Sequence, residues 1–103
     1  MAPSKKTGPQ ELALDADLRL AAAPALREGL LAALAAGRPV RLDGAAVAQV
    51  DTATLQLLCA FVRDAAASDL AVSWVAPSDA LMAGAAMLGL NRSMNLPAPT
   101  AQA

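Results

Sequence analysis

The chain has 103 residues, 56% of them apolar, and a formal net charge of -1, which gives room for one domain around one core. Its 8 Lys and Arg are scattered among 9 Asp and Glu without aromatic interleaving, so the basic footprint of a nucleic-acid binder is missing. With no histidine and one cysteine, the commonest general base, the commonest metal ligand and any intramolecular disulfide are excluded.

The amino terminus, MAPSKKTGPQ, has no apolar stretch after its lysines and reads as a flexible tail over residues 1–10. Residues 11–14 (ELAL) and 17–21 (DLRLA) alternate polar and apolar, with Asp15 and Ala16 between them as a two-residue connection, which predicts a short antiparallel pair. Pro24 suits a first helical turn. Leu26, Leu30, Leu31 and Leu34 then recur at helical spacing until Gly37 closes the helix. VRLDG gives a short strand before the Asp43, Gly44 turn, and Val47 and Val50 fall in a connecting segment. A second helix begins near Thr52 and runs to about Ala67. LAVSWVAPS has small or apolar residues on both faces, as in a buried strand, and places Trp74 in the core. Ser78 is a natural N-cap for a third helix over residues 79–88, stopped by Gly89, with Met82 and Met87 filling core gaps. A brief final strand is expected around residues 94–96, before a second tail at residues 98–103.

Strands and helices alternating at this spacing predict a largely parallel sheet with helices packed on it. The longest apolar run, at residues 80–90, is about half the ~20 residues that cross a bilayer. Together with the single cysteine, it marks the chain as a soluble, cytoplasmic protein.

The start of the second helix carries the most chemistry. Asp51 and Thr52 can each cap the unpaired amides there, and a negative charge on either would face the positive end of the helix dipole. Counting roughly 100° per residue, Leu55, Cys59, Val62 and Ala66, flanked by Leu58 and Ala65, form the expected core face. Thr54, Leu57, Phe61 and Asp64 fall on another side. There Leu57 and Phe61 form an apolar pair that either the third helix or a partner protein must cover.

The ordered set VRLD, GAAVAQV, DTATLQLLCAF, VSWVAPS and LGL before NRSMNLP resembles the STAS family, the anti-sigma factor antagonist-like domains, over residues 11–97. The resemblance implies an α/β STAS fold: a mixed, mostly parallel sheet of four to five strands with three to four helices. It also implies a non-catalytic regulator that needs no cofactor or metal and docks on a protein partner through the start of the second helix. Members of the antagonist branch read Asp-Ser-Ser-Gly there and carry the phosphate on the second hydroxyl. The matching position here is Ala53, and the glycine is Thr54. Thr52, at the first hydroxyl position, and Thr54, displaced by one, are therefore the candidate phosphorylation sites. Asp51, Thr52, Thr54, Leu57 and Phe61 are the expected partner-binding set. The partner is an anti-sigma factor or histidine-kinase-like ATPase. Alternatively it is the ATPase subunit of a phospholipid-trafficking ABC transporter, whose small STAS subunit carries Val-Asp-Thr, as at Val50, Asp51 and Thr52.

The residues point away from catalysis on their own account. Cys59 has no base to activate it, GAAVAQVDT lacks the glycines and lysine of a phosphate loop, and most of the aspartates stand at turns and helix ends.

Overall fold

The computed structural model describes residues 8–97, so the expected tails fall outside it except for residues 8–10. In chain order the elements are β1 (Gln10–Ala13), β2 (Asp17–Leu18), a 3-10 turn (Leu20–Ala22), α1 (Ala23–Ala36) and β3 (Val40–Asp43). They continue with β4 (Gln49–Val50), α2 (Thr52–Ala67), β5 (Val72–Val75) and α3 (Asp79–Met87).

Every strand pair is parallel. β3 lies between β1 and β5, with Leu12, Leu42 and Trp74 in one row, and β2 pairs separately with β4. The expected antiparallel pairing of the first two strands does not form. Asp15 and Ala16 lack the glycine that a tight two-residue hairpin favours at its second position. Instead the Ala16 carbonyl accepts the amides of Ala48 and Gln49, at 2.8 and 3.0 Å, which sends the chain across to β4.

The three-stranded sheet is one-sided. Val40, Leu42 and Val72 are buried on its inner face, while Glu11, Ala13, Arg41 and Ser73 stand on the exposed outer face. β5 is thus a half-buried strand rather than one covered on both sides, despite its apolar composition. Trp74 is partly buried against the core, and its indole Nε1 donates to the Met94 carbonyl at 2.8 Å.

α1 carries Pro24 in its first turn and ends at Gly37, whose φ of 70° is the left-handed conformation that glycine adopts without cost. It buries Leu26, Leu30 and Ala33, lies against β1 and packs on α2. In α3 the Ser78 hydroxyl accepts the Leu81 amide at 3.1 Å, as an N-cap should. α3 sits close to β4: a Cβ on Gly84 would meet Val50 Cγ2 at 2.7 Å. Met87 belongs to the solvent rather than the core, with 87% of its surface exposed.

The segment after α3 forms turns in place of the expected final strand. Met94 and Leu96 are buried, and the Asn95 side chain donates to the Val72 carbonyl, so these turns close the core beside β5.

Candidate functional site

α2 starts where β4 ends, so the residue between them must leave extended backbone and cap a helix at once. Asp51 does both: its φ of -139° and ψ of 176° are extended, and its Oδ1 accepts the Thr54 amide at 3.1 Å. The Thr54 hydroxyl oxygen in turn accepts the Asp51 amide at 3.4 Å, completing a reciprocal capping box. Asp51 Oδ2 reaches farther, accepting the Leu20 amide of the 3-10 turn at 2.6 Å. The Thr54 amide, and after it that of Leu20, hold the Asp51 carboxyl below its usual value against the opposing cost of desolvation.

Thr54 is fully buried, and its hydroxyl donates to the Leu18 carbonyl of β2. A buried hydroxyl so engaged is a tether between α2 and β2, closed to a kinase and to a partner in the folded domain. Thr54→Val is expected to leave the Leu18 carbonyl without its donor at a cost of about 1–3 kcal/mol, read as a lowered midpoint in urea. An unchanged midpoint would show the tether to be idle.

Phe61, also assigned to the docking surface, is likewise buried, at 3% exposed. α1 covers it, with Leu30, Leu31 and Leu34 across a narrow depression from Leu57, Phe61 and Asp64. The cover is therefore the first helix, not the third. The buried residues of α2 are Thr54, Leu55, Leu58, Phe61 and Ala65, so Leu55, Leu58 and Ala65 of the expected face are buried, and the face as a whole is turned by roughly 55° toward Thr54 and Phe61 at 100° per residue. Cys59 and Val62 are only partly buried and Ala66 is exposed. Burial raises the pKa of the Cys59 thiol, with Arg63 opposing, so the group remains a thiol at neutral pH.

Thr52 opens α2 and is exposed; Asp51 and Leu57 are half-buried. At this end of α2 lies a groove of about 860 Å3, with Leu20, Ala23 and Pro24 on one wall and Ala53, Gln56 and Leu57 on the other. Arg27 and Glu28 of α1 add one charge of each sign. Leu20 is 66% exposed at this groove. Sequence reasoning missed Leu20, Ala23, Pro24 and Gln56, because nothing in DLRLA or the first helix signals that the turn folds back beside residues 53–57.

Among the described residues no three His, Cys, Asp or Glu side chains gather into a set that could hold a metal ion. What the geometry offers is an apolar recess beside an exposed hydroxyl at a helix start, suited to receiving an apolar side chain from another protein. A family model described as "Mlab, STAS domain" matches residues 1–97. The chain belongs to the STAS family. Comparison with curated proteins and with solved structures gave no match.

STAS domains are in general non-catalytic binding modules that act through protein–protein contacts, and the mixed fold of three helices on parallel strands agrees with theirs. In this STAS domain no described helix is long and apolar enough to cross a membrane.

Proposed function

We propose that this STAS domain is a non-catalytic, cytoplasmic regulator of the anti-sigma-factor-antagonist type, docking on a kinase-like or signalling partner through the start of α2. The observation that carries the reading is the groove itself. Ala53 and Leu57 line it, Asp51 and Thr52 immediately precede Ala53 at the start of α2, and Leu20 leaves most of its side chain in water on the opposite wall. An apolar wall flanked by polar groups is the arrangement that an interface core and rim require. Ala53, at the family's phosphate-accepting position, lines this groove with a methyl group, so Thr52 is the hydroxyl left for a charge switch.

Thr52→Glu tests that switch without disturbing the fold, because an acidic residue in the first turn of a helix is favourable. It is expected to weaken partner binding about tenfold, roughly 1.4 kcal/mol, by desolvating a charge at the contact, while Thr52→Ser binds as wild type does. Equal affinities for Thr52→Glu and wild type, measured by titration calorimetry, would remove the switch.

A second reading is favoured by Val50, Asp51 and Thr52, the triplet that resembles the phospholipid-transporter branch of the family. In it the same surface holds the ATPase subunit of an ABC transporter. Affinity capture with wild-type chain and with Leu57→Asp, followed by mass spectrometry, separates the two. A protein lost from the Leu57→Asp sample is expected to be a histidine-kinase-like ATPase under the first reading and a Walker-motif ABC ATPase under the second. Identical captures by both chains would overturn docking through this groove.

A further inference from the structure

The groove's two walls come from segments far apart in sequence: residues 20–24 on one side and residues 53–57 on the other. Leu20 is mostly in water, so burial of its side chain does little to hold the 3-10 turn in place. The turn runs directly into α1 and is tied by polar bonds as well. Asp17 receives Arg19 through two of its guanidinium nitrogens, Nε at 2.8 Å and Nη2 at 2.9 Å, and also accepts the Arg19 amide at 3.2 Å, which shapes the chain entering the turn. The Leu20 amide crosses to Asp51 Oδ2 at 2.6 Å, while Oδ1 of the same carboxylate takes the Thr54 amide.

We infer that the Asp51 carboxylate is a positioning group that pins the 3-10 turn to α2 and so sets the width of the groove. One carboxylate serves both walls, because each oxygen faces a backbone amide from a different one. Alanine cannot accept either amide. Serine can accept the helical amide as a good N-cap, but it offers one short acceptor and cannot bridge to the turn. Capping and pinning are thus separable by substitution. The inference rests on reading the groove as the docking surface for its biological meaning, yet its physical content belongs to the free domain.

The pin also has a pH signature. The charged group facing Asp51 across the gap is Arg19, itself held by Asp17, and α1 brings Arg27 and Glu28 to the groove lining. The Asp51 pKa is lowered in the folded state, chiefly by the Thr54 amide, so the bonds to the carboxylate persist above that pKa and are lost as pH falls through it. At neutral pH the pin is closed.

The test is amide exchange and pH titration by nuclear magnetic resonance on the full-length 15N-labelled chain, comparing wild type, Asp51→Ser and Asp51→Ala. In Asp51→Ser the Leu20 amide is expected to exchange at least about tenfold faster, while the Leu42 amide in β3 changes less than about twofold. In wild type the Leu20 amide resonance should move with pH through a midpoint below the ordinary aspartate range, and in Asp51→Ser the movement should shrink to the part contributed by Asp17, which its bond with Arg19 also lowers. Asp51→Ala should show the same Leu20 effect together with faster exchange at Thr54. Unchanged Leu20 protection in Asp51→Ser overturns the inference, as does equal acceleration at Leu20 and Leu42, which would mean that Asp51 acts on global stability alone. Because no partner is present in the experiment, failure of the docking proposal leaves this result standing, and the reverse also holds.

Discussion

Phe61→Ala is expected to destabilise the domain by about 3–5 kcal/mol, the usual cost of emptying a ring-sized space in a core. Small domains hold only about 5–15 kcal/mol in total, so the variant should lie close to unfolding at room temperature. The ring is the chain's one phenylalanine, is 3% exposed, and fills the seam where α1 crosses α2 between Leu30, Leu34 and Leu57. No second aromatic ring is among the buried core residues, which are otherwise Leu, Val, Ala and Met. Urea denaturation followed by circular dichroism measures the effect. A loss below about 1 kcal/mol would mean that the α1–α2 seam contributes little, far outside the usual range for a buried ring.

Leu57→Asp, one turn earlier on the same helix, should act in the opposite sense: little on the fold, much on the partner. Leu57 is half-buried and lines the groove, so a carboxylate there stays near water in the free domain and costs about 1–2 kcal/mol of stability at most. On binding, that carboxylate would be desolvated where an apolar side chain belongs, and affinity should fall by at least about 2 kcal/mol, roughly 30-fold. Calorimetry against the captured partner reads this, with a circular dichroism spectrum matching wild type as the control for folding. Full affinity in a folded Leu57→Asp chain would move the docking surface elsewhere. The two variants together divide a pair that looks equivalent in sequence into one fully buried and one half-buried residue.

That division shows where sequence reasoning reaches and where it stops. Helix ends were legible because caps are local chemistry: Gly37 after α1, Asp51 before α2 and Ser78 before α3 each satisfy backbone groups within a turn of themselves. The STAS family was legible in the order of short strand and helix pieces. The face that α2 buries was legible only in part: Leu55, Leu58 and Ala65 are buried as expected, while Thr54 and Phe61 are buried against expectation. Its polar Thr54 argued for solvent, and only the fold reveals that the hydroxyl has the Leu18 carbonyl as its acceptor. Phe61 was misplaced for the same reason, since the helix that covers it lies about 30 residues earlier in the chain. The hairpin was misread because alternation in residues 11–21 records which side chains are buried, not which strand lies alongside. Leu20 carried no signal of a site at all, because its importance comes from the Asp51 bond reaching across 31 positions.

The bond from Trp74 to the Met94 carbonyl gives the protein a built-in optical gauge. The chain contains a single indole, and that indole touches the last turn of the described chain, so its emission reports whether the carboxyl-terminal stretch has settled onto β5. The groove beside Thr52 has no aromatic ring among its lining residues, so occupancy there leaves that light unchanged unless the disturbance travels through the core. Intrinsic fluorescence therefore follows completion of folding, and occupancy of the groove calls for a dye placed near α2.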